Sequence, residues 1–325
     1  MIRTKTVLIL GAGASNPYGL PLGGELSKQI IADTAAKDSD LRNALRMIGH
    51  DDEKIEGFRK AFVRAGLSSI DAFLARRDEF TSLGKLVIAD IIKRAEVPHL
   101  LWSQPVDDWY RYLWQHLSDC TLPSFTQNKL SVITFNYDRS LETFLREAMV
   151  YTYGLDRSES RRFLDKTIRI IHVYGKVEGD YGPVDFGMEF RDEHYRKALQ
   201  ASADGIHVIP EGRDEAHELD ECRNLIFDAE KICLLGFGYD PANLERLHAP
   251  RTMAQVATDA QGRENIRQHP LIGSTWGLTD REARLAAERC GQRNESSQAR
   301  GADPNMERFP NMKCLDLLRT WIFFG

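Results

Sequence analysis

The sequence has little of what marks many protein classes outright. Its five cysteines, Cys120, Cys222, Cys233, Cys290 and Cys314, are odd in number and scattered, and no two form a Cys-x-x-Cys pair. A disulfide framework is not indicated, and neither a structural zinc site nor any other set of metal ligands is expected. Positive charge is not in excess, since 43 Lys and Arg stand against 48 Asp and Glu for a formal charge of −5. The broad basic footprint of a nucleic-acid binder is missing, and direct binding to nucleic acid is not expected. Long apolar runs are missing too. The run after Arg3 and Lys5 is far too short for a signal peptide or a membrane span, so the expectation is a cytoplasmic protein without membrane contact. No internal repeat is visible.

What is present begins with Val7-Leu8-Ile9-Leu10, a short apolar run that stops at Gly11. A run of this kind suits the first strand of a parallel sheet covered by helices on both faces. Then follow Gly11-Ala12-Gly13-Ala14-Ser15-Asn16-Pro17-Tyr18-Gly19-Leu20-Pro21, small residues that let the backbone come close to another group. Gly11 and Gly13 can take angles closed to other residues and turn N–H groups toward an anion, which the start of the next helix also attracts. A dinucleotide pyrophosphate is the natural guest. The third glycine of the usual dinucleotide fingerprint is lacking, with Asn16 in its place, and a tight strand-to-helix turn without ligand is the plain alternative.

At 325 residues with 42% hydrophobic content, the chain can bury a substantial core. Apolar spacing predicts a helix over 22–36, with Leu26, Ile30 and Ile31 on one face, and continuous helical pattern from about 41 to 117. Trp102, Trp109, Tyr110, Tyr112 and Trp114 read as packing residues rather than a base-stacking platform. Strands return at 130–135, 168–173 and 231–235, with helices at about 140–149 and 218–230 between them. A strand over 271–276, a helix over 280–290 and an apolar element over 312–324 complete the pattern, and 291–311 reads as a long exposed loop. The expected architecture is a single α/β domain over 1–325, a Rossmann-like open parallel sheet. It carries a helical insertion at about 38–125 and an irregular C-terminal extension at about 249–325.

Each predicted strand ends in small and polar residues: Asn136-Tyr137-Asp138 after the second, His172-Val173-Tyr174-Gly175 at the third, and Gly236-Phe237-Gly238-Tyr239-Asp240 after the fourth. In open α/β sheets ligands sit beyond the carboxyl ends of the strands, so these clusters are expected to converge on one crevice. Residues two apart at a strand end share a side. Asn136 and Asp138 therefore face the crevice together, with Tyr137 turned back into the fold. The plain alternative has Asn136 capping the next helix and Asp138 favouring its positive end, each a stabilising effect of about 1 kcal/mol. His172 has an imidazole suited to proton transfer near neutral pH.

Gly-Ala-Gly-Ala-Ser, three residues, then Gly-Leu-Pro resembles the nucleotide loop of sirtuins, where Gly-Ala-Gly-Ile-Ser and three residues precede Gly-Ile-Pro. Asn136-Tyr137-Asp138 is similar to the sirtuin Gln-Asn-Ile-Asp motif. The zinc module of protein-deacetylating sirtuins is absent, and Leu22-Gly23-Gly24 stands where they carry Asp-Phe-Arg, so the resemblance is to the sirtuin-like NAD hydrolases of bacterial anti-phage defence. It covers roughly 5–26 and 130–247. The resemblance implies a sirtuin-like fold and hydrolysis of NAD+ to ADP-ribose and nicotinamide, with NAD+ as substrate and no resident cofactor.

The same resemblance assigns Asn136 to the nicotinamide ribose and Asp138 to the carboxamide. It gives Gly11, Ala12, Gly13, Ser15, Gly19, Pro21, Tyr174, Gly175, Gly236, Gly238 and Asn243 to the nucleotide. Sirtuins place the catalytic histidine immediately before the glycine, where this chain has Tyr174; His172 lies two residues earlier and is expected to face the same side, leaving His172 and Tyr174 both as candidates for the base. An activity of this kind has to be gated, which implies a homo-oligomer or a separate sensor or activator protein, for example a HerA-type ATPase. A nucleotide-binding assembly module with little catalysis, or a protein deacylase or ADP-ribosyltransferase, is the competing expectation.

Overall fold

The computed structural model describes residues 1–37, 39–67, 69–182, 193–208, 217–254, 256–258, 264–266, 270–292, 307–321 and 323–324. Five parallel strands form the central sheet: β1 (Thr6–Leu10), β2 (Leu130–Thr134), β3 (Arg169–His172), β4 (Lys231–Leu235) and β7 (Leu271–Gly273), in the order β3-β2-β1-β4-β7. β1 lies at the centre, with Leu8 opposite Val132 on one side and Cys233 on the other. All five of its residues are buried, as the unbroken apolar run predicts. The architecture is thus a Rossmann-like α/β open sheet. A two-stranded antiparallel ribbon, β5 (Val256–Thr258) with β6 (Glu264–Ile266), lies outside the sheet and was not evident from sequence pattern.

The period of two along the strands divides the core into two. Val7, Ile9, Ile133, Ile171, Ile232 and Leu234 face one way, Leu8, Leu10, Val132, Cys233 and Leu235 the other. On the first face lie α2 (Gly23–Ala35), α3 (Asp40–Ile48), α4 (Asp52–Ala65), α5 (Ile70–Leu74), α6 (Thr81–Ala95), α11 (Glu193–Asp204) and α12 (His217–Asp228). On the second lie α7 (Trp109–Ser118), α9 (Ser140–Tyr153), α10 (Arg157–Thr167) and the last helix, α15 (Cys314–Thr320). Among the described residues no strand falls between β1 and β2, in keeping with the continuous helical pattern of that stretch. Local signals set the helix ends: Ser39 and Asp51 accept the Arg42 and Lys54 N–H groups at the starts of α3 and α4, and Gly49 and Gly66 close those helices at φ of 107° and 64°.

Several boundaries differ from the pattern. β7 stops at Gly273: the Ser274 N–H still donates to the Leu234 carbonyl, but the Thr275 N–H turns away to the Pro310 carbonyl. Most of the loop expected at 291–311 lies outside the described residues. No helix among the described residues is long and apolar enough to cross a membrane.

The strand order reverses between β1 and β4, and the loops leaving these two strands meet there. Their contact is made backbone to backbone. A Cβ at Gly11 would lie 2.6 Å from the Gly236 carbonyl oxygen, one at Gly13 2.8 Å from the Gly236 Cα, and one at Gly236 2.0 Å from the Ala14 nitrogen. The Gly11 N–H donates to the Leu235 carbonyl at 3.1 Å and the Gly13 N–H to the Gly236 carbonyl at 3.0 Å. The expectation that these glycines turn their N–H groups toward an anion is corrected in this respect. Their small size is used to seat one loop against the other.

Gly236 combines a left-handed backbone, φ of 54°, with that collision, whereas a Cβ at Gly238 meets nothing within 4 Å. Gly236→Ala therefore loses about 1–2 kcal/mol from the backbone alone and more from the clash. Gly238→Ala stays within about 0.5 kcal/mol of wild type. Thermal or denaturant unfolding of the two variants checks the contrast, and equal stabilities would refute the backbone contact.

Candidate active site

The chain beyond β2 continues to alternate for a few residues, which sends Thr134, Asn136 and Asp138 to one face and Phe135 and Tyr137 to the other. Asn136, expected to face the crevice, is 8% exposed and tied to the first glycine loop. Its Nδ2 donates to the Gly11 carbonyl at 3.0 Å and to Ser15 Oγ at 2.9 Å. Asn136 is thus no helix cap. That work falls to Asp138, whose Oδ1 accepts the Ser140 N–H at 3.0 Å and the Ser140 hydroxyl. Ser140 Oγ in turn lies 2.6 Å from Tyr110 Oη. Burial raises the Asp138 carboxyl above the ordinary range against the lowering effect of these hydrogen bonds.

His172, the last residue of β3, projects to the same face. Its Nδ1 lies 2.9 Å from the Asn136 carbonyl oxygen and its Nε2 2.8 Å from Glu142 Oε1. A carbonyl can only accept, so Nδ1 carries a proton. Glu142 is an acceptor as well when ionised: burial works to raise its pKa, but His172, with Lys176 3.5 Å away, overturns this and holds it at about 2. Both ring nitrogens of His172 are thus engaged, Nδ1 with the Asn136 carbonyl and Nε2 with the Glu142 carboxyl group.

Tyr174 does not share that side. Regular alternation ends at His172, and the turn at Gly175, φ of 66°, carries Tyr174 to the other face. There it packs edge-on against Phe135 and donates to Asn243 Oδ1 at 2.5 Å. The expectation that His172 and Tyr174 reach one site is corrected accordingly.

Ser15, Asn136, Asp138, Glu142 and His172, with Leu10, Tyr110 and Thr134, line a cavity of about 10 Å³ beyond β1, β2 and β3. That is room for about one water molecule among several polar partners. The other residues assigned to nucleotide lie apart from it. Gly19 closes a turn at φ of 91° in a segment braced by Asn16 Nδ2 donating to the Leu20 carbonyl at 3.0 Å, with Pro21 just beyond. Gly175 approaches Gly205 so closely that a Cβ would lie 2.0 Å from its carbonyl oxygen. Gly236 and Gly238 belong to the β4 loop, and Asn243 sits in the short helix α13 (Pro241–Arg246) that Asp240 caps. Ala12 lies in the helical turn α1 (Ala12–Ser15). Among the described residues no cluster of His, Cys, Asp and Glu is arranged to hold a metal ion.

Sequence pattern missed Glu142 and Tyr110. Glu142 stands four residues after Asp138, one turn into α9, the spacing that returns a helical side chain to the same face. Tyr110 was placed among the packing aromatics. It does stack on Tyr18, with ring centroids 3.8 Å apart, and Trp109 beside it donates its indole N–H to the Ala14 carbonyl at 2.8 Å, so α7 holds the glycine loop from below. Together the side chains at the cavity present an amide, three hydroxyls, two carboxyl groups and an imidazole, able to hold a small polar group. No family model and no curated protein matches the chain.

The Glu142 carboxyl falls from an ordinary 4.5 to about 2 on folding. A depressed pKa contributes stability that is present above about pH 4.5 and lost as pH falls through 2, here about 3 kcal/mol in all. Glu142→Gln is expected to lie below wild type by an amount of this order at pH 7, and the gap should close between pH 4.5 and 2. Denaturant unfolding of both proteins across this range checks it; a gap independent of pH would show that the ion pair is not its source.

Proposed function

We propose that the chain is an NAD+ glycohydrolase that releases nicotinamide and ADP-ribose. The observation that carries this reading is the convergence of Ser15, Asn136, Asp138 and His172 on one cavity. These residues follow three strand ends, and the sirtuin-like motifs assign them to one reaction. The nicotinamide–ribose bond breaks with positive charge developing on the sugar carbon while the pyridine leaves as a neutral molecule. Little covalent assistance is needed. The protein has to hold the ribose and carboxamide, exclude bulk solvent and surround the developing cation with fixed dipoles and carboxylates.

In this reading Asp138 holds the carboxamide, and the Asn136 amide faces the ribose while bridging Gly11 and Ser15. Glu142 and Asp138 supply the negative field. His172 acts through the Asn136 carbonyl that it grips, a positioning role in place of the general-base role considered from sequence. Water is the acceptor, and gating by self-assembly or by a separate sensor protein belongs to the same proposal. A nucleotide-binding assembly module with little catalysis is the second reading, favoured by one observation: both nitrogens of His172 are already occupied.

Asp138→Asn preserves an oxygen for the Ser140 contacts and removes only the charge, so it is the cleanest probe. Release of free nicotinamide from NAD+ is expected to fall on the order of 10²- to 10³-fold in this variant, with the thermal midpoint unchanged or raised because a buried charge is gone. Tyr174→Phe, on the opposite face, should stay within about twofold of wild type. Wild-type turnover in Asp138→Asn would reject the site, and no nicotinamide release by the wild-type chain in any assembly state would favour the second reading.

A further inference from the structure

The ladder of β2 ends with the Phe135 N–H on the Leu10 carbonyl and the Val173 N–H on the Thr134 carbonyl. Asn136 to Arg139 lie beyond it, and their backbone groups need partners from elsewhere if the Asn136 and Asp138 side chains are to keep one direction. Part of that need is met close by: His172 holds the Asn136 carbonyl, and the Val177 N–H donates to the Tyr137 carbonyl at 2.9 Å. Two further contacts come from the helices between β1 and β2, and both are made by acidic side chains.

Asp71, in the first turn of α5, accepts the Tyr137 hydroxyl on Oδ1 and the Ser69 hydroxyl on Oδ2 at 3.1 Å. Tyr137 is 5% exposed and stands between Asn136 and Asp138, so its ring, anchored at the far end, steadies the peptide units that lead to both. Glu96 follows the last turn of α6 and is fully buried. Its Oε1 accepts the Arg139 N–H at 3.3 Å, while Oε2 accepts the Gly182 N–H at 3.2 Å and lies 2.8 Å from Lys93 Nζ. Helix stability does not account for Glu96 at this place, since a carboxylate at a helix C-terminus faces the negative end of the dipole and a buried charge is costly even when paired. What the position supplies is direction, with one oxygen on the segment after β2 and the other on the segment after β3.

We propose that Asp71 and Glu96 are positioning residues, through which the helices between β1 and β2 set the placement of Asn136 and Asp138. This rests on the hydrolase reading only for the reaction that the placement serves. Neither carboxylate lines the cavity. Each acts on the chain that carries the site, Asp71 through the Tyr137 ring and Glu96 on the Arg139 backbone. A directional hydrogen bond on each side restricts Asn136 and Asp138 in a way that apolar packing of the same groups would not. A misplacement of about 1 Å at a reacting centre can cost about 10²-fold in rate.

Backbone hydrogen exchange over residues 136–140 in the full chain, read by NMR, tests this without turnover. Tyr137→Phe and Asp71→Ala should each speed exchange there about tenfold, leave α10 unchanged, and be no worse together than singly, because they remove the same bond. Asp71→Asn keeps an oxygen for the Tyr137 hydroxyl and should restore the wild-type rate. At the other anchor, Glu96→Leu with Lys93→Met replaces the buried pair by apolar groups, which should leave the thermal midpoint close to wild type and speed Arg139 exchange. Glu96→Gln with Lys93→Met keeps the acceptor and should not speed it. Unchanged exchange, additive effects, no rescue by the Asn or Gln variants, or acceleration spread evenly over the chain would each overturn the proposal. With NAD+ as substrate, kcat should fall about tenfold or more in Tyr137→Phe and Asp71→Ala and recover in Asp71→Asn; wild-type kcat in the loosened variants would overturn it too. No nicotinamide release by wild type, with the exchange pattern as expected, would reject the hydrolase reading and leave the positioning of the segment standing.

Discussion

The contact of the β1 and β4 loops through bare backbone is the constraint from which the rest of the site follows. With no side chain between them, Gly236 can seat against Gly11, Gly13 and Ala14, and the two strands end side by side at the point where strand order reverses. Asn136 then has a fixed carbonyl and a fixed hydroxyl to bridge, and Trp109 a fixed carbonyl to receive its indole N–H. A substituent at any of these glycines would push the loops apart by more than hydrogen bonds of ordinary length tolerate. The amide at the site is therefore placed by the packing of glycines that it does not itself resemble in any chemical sense.

Electrostatics at the site is arranged in two tiers. Asp138 keeps its charge expensive through burial, while Glu142 is made a dependable anion by His172 and Lys176. Two carboxylates on neighbouring turns of chain thus differ in how readily they take a proton, a separation that commonly accompanies functional sites and also occurs in structural ion-pair networks. His172 links the tiers, since its second nitrogen holds the backbone of Asn136, two residues before Asp138. Its contribution passes through that backbone.

The sheet was legible in the sequence because its signals are local. An apolar run buried on both faces, the period of two, and glycines at helix ends each report on a few neighbouring residues, and β1, β2, β3 and β4 lie where that reading put them, within a residue or two. The gathering of Asn136, Asp138 and His172 on one face also followed from strand alternation. Tyr174 broke that rule because alternation holds only while the strand lasts, and Gly175 turns the chain just after His172. The burial of Asn136 was not legible, for it depends on Gly11 and Ser15, more than a hundred residues earlier, and neither was the packing role of Gly11 and Gly13, which meet a loop more than two hundred residues later. Glu142 was hidden for another reason: an acidic residue in the first turn of a helix is common wherever the helix dipole favours it.

The central position of β1 also fixes an order of events during synthesis. Thr6 pairs with Leu130 on one side and with Lys231 on the other. β1 therefore precedes both of its neighbours in the chain and has no second partner until Lys231 has been made. Contacts this distant in sequence close slowly and leave partly folded chains prone to association. The helices between β1 and β2 have enough apolar surface to collapse among themselves in the interval, with Phe58, Phe62, Phe73 and Phe80 forming a ring cluster of their own. The two glycine loops can meet only when translation has passed Gly236.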